Sequence, residues 1–542
     1  MKRTLITLVG LLAAPLAAIH AAAAPKTQPE RLDSAPYVAG KEGYACYRVP
    51  ALVVSAQGTV LAFCEGRVQN HKDEGDIDTV LKRSADGGKT WRPLQVLAND
   101  GLNPCKNACP VVLLSGRILV VYLWNKSIPS ESQRTTREVF VTHSDDDGLT
   151  WSQPRNITRS VYLPDWEWYG TGPCHAIVKR GEPHKGRIVV PSRHNTKKTH
   201  TVAHLIYSDD GGETWQLGGS VPREQSSESS VAELSNGDLM LNCHNQNDKE
   251  NHRVVAISKD GGATFSEVWL ETALIEPRGC QGSLLFHSVN AGTGKGNILF
   301  SNPNNGETRS DGTLKLSEDD ARRWTKAFRY AKQPAPYFTG YSDIAAMPNG
   351  DVAILYERGD ISSAASKKER YDEIGFTVVK FNEIKAPLPL PKQAKPETNI
   401  ATHPEAARLV AAEWPTEIVW QGFEVGNPVI TGEALKRTPA SNPVRRAFEL
   451  RLFGKRPSIE GGQPSYDQAA AFYAVRGTNA ELWSEERGGR VVIDQTGFSR
   501  WVADAASPHV MVTRVCAPDL LARQIEALMV APPKNATPGK SK

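Results

Sequence analysis

The sequence predicts an all-β propeller followed by a smaller α/β domain, and three observations carry that reading. An eight-residue pattern, S-x-D-x-G-x-T-W, recurs at residues 84–91, 144–151 and 208–215, with Phe265 as the aromatic at 258–265 and a worn copy at 317–324 lacking the Gly and the Thr. The copies begin at residues 84, 144, 208, 258 and 317, and steps of 60, 64, 50 and 59 residues fit a unit of about four strands, the size of a propeller blade. Beyond the alternating prolines of Ala386-Pro387-Leu388-Pro389-Leu390-Pro391, which favour an extended chain, the composition shifts and helical patterns begin.

The repeated box is a turn with its own staple. Its Ser and Asp, two apart, bond the backbone N–H groups of the turn, its Gly takes a positive φ without steric cost, and its aromatic packs back between sheets. The boxes are therefore expected to position the blades and to carry no chemistry.

At 542 residues the chain exceeds one compact core and points to two or three domains. The net charge of +4 is small, and two of the cations, Lys2 and Arg3, precede the apolar residues 5–19 and Ala21 to Ala24, a secretory signal pattern over residues 1–24. An exported protein, periplasmic or secreted, is expected, with no nucleic-acid signal and no membrane-spanning segment in the mature chain. Eight cysteines in an exported chain permit disulfides, Cys105 with Cys109 being the local candidate; buried free thiols are the alternative, and the spacing is not a zinc pattern.

Taken in order, residues 25–40 are polar and Pro-containing and read as a loose lead-in. Structure begins at Tyr44-Ala45-Cys46-Tyr47-Arg48-Val49-Pro50 and turns at Gln57-Gly58 into the strand Val60-Leu61-Ala62-Phe63-Cys64. An arginine inside an apolar strand is costly unless it meets an anion, so Arg48 calls for a carboxylate partner. Glu65-Gly66-Arg67 and the polar run His71-Lys72-Asp73-Glu74-Gly75-Asp76 follow; taken singly, these acids read as a solvated loop.

In context they mean more. Tyr47-Arg48-Val49-Pro50, then a Gly-Arg and an acidic loop, then repeated boxes, resemble the sialidase (neuraminidase) family of exo-glycosidases over residues 36–385. Asn107-Ala108-Cys109-Pro110, Tyr169-Gly170-Thr171-Gly172-Pro173, Ser227-Glu228-Ser229-Ser230, Gly279-Cys280-Gln281-Gly282, Thr308-Arg309-Ser310, Gly340-Tyr341-Ser342 and Leu355-Tyr356-Glu357 continue the likeness in order. The resemblance implies a six-bladed β-propeller and an exo-α-sialidase acting on sialylated glycoproteins, glycolipids or oligosaccharides, with net retention, no cofactor and no metal.

The implied site follows from the substrate's chemistry. A sialic acid carries a carboxylate on its anomeric carbon, which suits arginine's fixed fork; Arg48 and Arg309 match two of the family's three such residues, and Glu357 the acid that orients the first. A carboxylate nucleophile would meet the substrate's own charge, so the family uses tyrosine, here Tyr341, with Glu228 taking its proton. Asp73 matches the acid that protonates the departing oxygen, and Arg67 and Asn107 are candidate contacts to ring substituents. The chain departs from the family at one point: Leu241-Asn242-Cys243-His244 places His244 where the second arginine stands, as a candidate contact to the substrate carboxylate with Arg253 nearby, or as a satisfied polar histidine with no ligand contact. An alternative is therefore a sialic-acid-binding propeller of low activity, or a hydrolase for a related nonulosonic acid.

Past the linker at 386–396, residues 404–413 read as a helix and Ile418-Val419-Trp420 as a strand of an α/β domain over 397–534, with a loose tail at 535–542. His403-Pro404-Glu405, Gly422-Phe423-Glu424-Val425-Gly426-Asn427 and Ser465-Tyr466-Asp467 resemble the C-terminal half of nucleoside-hydrolase-like proteins. That family's N-terminal aspartate cluster for calcium is absent, and Tyr466 stands where it has His. The domain is expected to be non-catalytic.

Overall fold

In a computed structural model the structure describes residues 31–127, 137–247, 250–331, 337–360, 370–384, 386–387, 400, 403–413, 417–426, 428–450, 452–453, 456–493, 499–504 and 506–531. The expected signal segment, most of the Pro-rich stretch and the expected C-terminal tail lie outside the described residues.

Six antiparallel sheets of four or five strands follow one another among the described residues. Their inner strands are Cys46–Val54, Cys105–Val112, Trp166–Thr171, Ser226–Glu233, Ser283–Val289 and Tyr337–Ala346. Each sheet packs on the next, and Tyr337–Ala346 of the last packs on Cys46–Val54 of the first, closing the ring of a β-propeller. Middle strands such as Ile118–Asn125 are buried on both faces, which is why they read as unbroken apolar runs. Between the first two sheets Leu61, Phe63 and Leu81 meet Ile118 and Val120, and each such side chain contributes roughly 1.5–3 kcal/mol by leaving water.

The boxes sit at the turn between the third and fourth strands of a sheet. In the first, Ser84 Oγ donates to Asp86 Oδ1 at 2.7 Å, and Asp86 accepts from the Thr90 N–H and hydroxyl at 2.9 and 2.6 Å. The worn fifth copy keeps the same turn by other means. Asp320 and Ala321 take φ of 63° and 60°, and Arg323 replaces the threonine with an N–H and a guanidinium bond to Asp319 at 2.9 and 2.7 Å.

Four inner strands slip register near the end that carries the candidate site, between Arg48 and Ala51, Lys106 and Cys109, Ser226 and Ser229, and Thr339 and Ser342. These bulges hold Val49, Asn107, Glu228 and Tyr341, and a bulge re-aims a side chain that a regular strand would bury between sheets. At the ring's centre Asp343 ties four sheets together: its carboxylate accepts from Leu52 N at 2.8 Å, His175 N at 2.9 Å, His175 Nδ1 at 2.8 Å, Ser283 Oγ at 2.5 Å and Ile344 N at 3.0 Å. Burial alone would favour a neutral His175, but Asp343 outweighs it and pushes the imidazole up to about 9.

Two expectations are corrected. The lead-in is not loose throughout: Asp33–Val38 pairs antiparallel with Glu373–Val379 as the outer strand of the last sheet, its partner lying too far along the chain to leave a local signal. Cys105 and Cys109 do not pair; all eight cysteines are free and buried, and these two occupy one strand, where four positions span about 13 Å against the ~7 Å a disulfide allows.

The C-terminal residues build a helix at Pro404–Glu413 and a mixed sheet in which Val510–Arg514 runs parallel to Val419–Gln421 and antiparallel to Trp483–Arg487. Its own core gathers Phe472, Trp483, Val512 and Leu521, and Arg323 of the propeller donates to Ser484 at 2.6 Å. Among the described residues no helix is long and apolar enough to cross a membrane.

Candidate active site

The inner strands converge at one end of the ring and bring most of the expected side chains together. Tyr341 is buried, and its hydroxyl lies 2.5 Å from Glu228 Oε2. Glu228 Oε1 faces Arg193 Nη1 at 3.1 Å, so the carboxylate is held from both sides. Burial, and then the charge of Glu228, push the phenol well above its ordinary value, against the opposing pull of Arg309 and Arg48. The guanidinium carbons of Arg48 and Arg309 lie 5.5 and 5.2 Å from the centre of the Tyr341 ring.

Glu357, fully buried, organises this group. Its Oε1 accepts from Arg48 Nε at 3.1 Å and Val49 N at 3.0 Å, and its Oε2 from Tyr341 N at 3.0 Å. Val49 adopts φ 56°, rare for a β-branched residue, and the bond to Glu357 holds that turn in place beside Arg48. Gly340 is required for the same reason: a Cβ there would lie 2.2 Å from Glu357 Oε2.

Asp73 projects from the loop after Arg67, its side chain 67% exposed, with Oδ1 2.8 Å from Arg67 Nη2 and 3.8 Å from Arg48 Nη1. The partial loss of water around it favours protonation, but Arg67, then Arg48 and Lys106, outweigh that and hold it well below the usual carboxylate range. Arg67 is itself buried between Asp73 and Glu65, whose Oε2 lies 2.5 Å from its Nη2. Asn107, at φ 58°, donates its N–H to Glu65 Oε1 at 3.1 Å and its amide to the Thr171 carbonyl at 3.0 Å, so its side chain joins two sheets.

His244, the expected carboxylate contact, makes its described polar contact with Glu276. It borders a cavity of about 330 Å³ with His200, Gln225, Gln246, Arg278 and Gly279, and its Nδ1 faces Glu276 Oε1 at 3.3 Å. Arg253 is fully buried, with Nε on Asn242 Oδ1 at 2.7 Å and Nη1 bonded to Glu276.

Sequence reasoning missed three contributors. Arg193 stands in the apolar strand Ile188–Thr196, the same signal that singled out Arg48. Tyr371 stacks under the Arg48 guanidinium at 4.1 Å and its hydroxyl accepts from Arg309 Nη1 at 2.9 Å, yet it precedes the ordinary strand Glu373–Val379 and no local pattern marks it. Lys106, on the strand Cys105–Val112, donates to the Asp73 carbonyl at 2.6 Å, and burial, then Arg137, push it down to about 8.

A phenol hydrogen-bonded to a carboxylate, two flanking guanidiniums and an acid at the rim meet at one end of the propeller. The BNR repeat-like domain matches residues 58–354, which fixes the class as a BNR-repeat propeller. The sialidases of Bacteroides fragilis (strain YCH46) and Micromonospora viridifaciens are each 31% identical to this chain, over 342 and 341 residues. These matches cover 59% of this chain in both cases, and 61% and 51% of the relatives' own lengths. The sialidase of Paraclostridium sordellii is 31% identical over 336 residues, covering 57% of this chain and 81% of its own. Among solved structures, Hadza microbial sialidase Hz136 superposes with a TM-score of 0.57 at 28% identity, over 65% of this chain and 69% of that one. The chain belongs to the sialidase family.

Proposed function

We propose that the protein is an exported exo-α-sialidase that releases terminal sialic acids from glycoconjugates with net retention. The observation that carries the proposal is the 2.5 Å contact of Tyr341 with Glu228, flanked by Arg48 and Arg309. The two arginines take the substrate carboxylate, which sets the anomeric carbon against the phenol oxygen. Glu228 Oε2 accepts the phenol proton as the Tyr341 oxygen bonds to that carbon and the glycosidic bond breaks, and Asp73 delivers a proton to the departing oxygen. In the second half Asp73 takes a proton from water, the water oxygen displaces Tyr341 from the opposite face, and Glu228 returns the proton to the phenol. Two inversions at one carbon give retention.

The depressed Asp73 fits this scheme once substrate is considered. A carboxylate arriving on Arg48 neutralises one of the cations that keep Asp73 ionised, so the acid gains proton affinity when it is needed. Incubation of the purified protein with a fluorogenic sialoside and a natural sialoglycan between about pH 4 and 8 tests the proposal; release of free sialic acid is expected, and no release from either substrate refutes it.

A further inference from the structure

Arg48 and Arg309 both lie against the Tyr341 ring, so the free protein holds two guanidiniums close together, and like charges push apart until an anion comes between them. Glu357 restrains the first through its Nε, which leaves the two Nη groups of Arg48 to be oriented. Tyr371 touches both arginines. Its ring centre lies 4.1 Å from the Arg48 guanidinium carbon, and its hydroxyl accepts from Arg309 Nη1 at 2.9 Å while Nη2 of the same fork donates to the Gly279 carbonyl. A phenol can do this without adding charge, since its π face attracts one cation and its oxygen lone pair the other. A carboxylate in the same place would grip the arginines harder and compete with the substrate's own.

Tyr371, half-buried, is itself held from several directions. The Phe338 ring meets it edge-on at 4.8 Å and 79°, and the His71 ring stacks on it at 6.1 Å and 26°. Phe338 lies on the inner strand that carries Tyr341, and His71 on the loop that carries Asp73. Along the chain the next residue, Asp372, donates its N–H to the Arg358 carbonyl at 3.1 Å and accepts from Ala39 N at 2.8 Å and Asp360 N at 3.0 Å. On the other side a Cβ at Gly359 would collide with the Arg370 carbonyl, so the strand Val352–Asp360 lets this segment approach closely only because glycine stands there. The ring is thereby tied to the first and last sheets, which also carry Arg48 and Tyr341.

We propose that Tyr371 is a positioning residue for the reaction: its ring sets the plane of the Arg48 guanidinium and its hydroxyl aims the Arg309 fork, so that both arginines converge on the substrate carboxylate before it arrives. The inference rests on the sialidase reading above. Groups already ordered in the free protein lose less freedom on binding, and affinity for the anion rises by that amount.

Calorimetric binding of the unsaturated, planar-ring analogue of sialic acid and of its methyl ester to wild type, Tyr371→Phe and Tyr371→Leu tests the assignment. Tyr371→Phe keeps the ring and loses the hydroxyl, and should bind the acid about 3- to 10-fold more weakly than wild type. Tyr371→Leu loses both and should bind it about 10- to 100-fold more weakly, with the ester within about twofold of wild type in each variant. An acid-to-ester preference in Tyr371→Leu equal to that of wild type overturns the proposal, because a merely structural defect weakens both ligands alike. Unchanged acid binding in Tyr371→Phe overturns the part given to the hydroxyl. Tighter acid binding in Tyr371→Phe overturns the proposal too, since the hydroxyl would then occupy the place the carboxylate takes. Wild type that binds neither compound overturns the sialidase reading itself, an outcome distinct from these.

Discussion

The phenol oxygen of Tyr341 lies 2.5 Å from Glu228 Oε2, although 113 residues separate the two in sequence. One sits in the bulge of the sixth sheet's inner strand and the other in the bulge of the fourth's, so the contact exists only in the closed ring. Tyr341→Phe removes the hydroxyl that is the nucleophile of the proposed mechanism, together with its bond to Glu228. Its kcat on a fluorogenic sialoside should fall by at least about 100-fold while affinity for the planar-ring analogue stays within a few-fold. Equal kcat in variant and wild type would remove Tyr341 from the chemistry.

Asp73 predicts a dependence on the leaving group. Asp73→Asn should cost about 10²–10⁴ in kcat/KM for a sugar leaving group that needs a proton, and less than about tenfold for a nitrophenolate that does not. The free protein holds Asp73 ionised through Arg67 and Arg48, and bound carboxylate quenches Arg48, so the alkaline limb of kcat should lie at higher pH than that of kcat/KM. Coincident limbs would contradict the coupling.

Gly340 should be as sensitive as a catalytic group despite lacking a side chain. Gly340→Ala drives a Cβ to 2.2 Å from Glu357 Oε2, which must move and release Arg48, Val49 or the Tyr341 backbone. Activity should drop at least about tenfold, with loss of a buried charged hydrogen bond costing roughly 1–3 kcal/mol in denaturant unfolding. A variant with normal kcat/KM would show that Glu357 does not position the pair.

The axial His175–Asp343 pair predicts alkaline instability. His175 is raised in the folded protein from the ordinary 6.5 to about 9. Its contribution, on the order of 2–4 kcal/mol, is complete below pH about 6.5 and fades as pH rises through 9. Thermal unfolding across this range should show a falling midpoint that is flatter in His175→Gln; parallel slopes in the two proteins would refute the assignment.

The boxes were readable because each is local: Ser, Asp, Gly and Thr within seven residues fix one turn. Arg48 stood out by itself as a cation inside an apolar strand, whereas Asp73, Glu228, Arg309, Tyr341 and Glu357 became candidates only as an ordered set resembling a family. Tyr371 and the strand Asp33–Val38 escaped because their roles depend on partners across the ring, at Arg48 and Arg309 for the first and at Glu373–Val379 for the second. Arg193 and Lys106 could have been found by the rule that marked Arg48, a cation inside a buried strand.

The pairing of Asp33–Val38 with Glu373–Val379 makes the propeller a clasped bracelet with its buckle inside the last sheet. Such a ring has no preferred opening point. A permuted propeller with the two clasp strands joined directly and cut instead in an exposed turn, such as Asn349-Gly350, keeps at least four strands in every sheet and loses only the short strand Ala386–Pro387 from the fifth. Deleting the first clasp strand does the opposite, baring an unpaired edge that invites the same strand from another molecule.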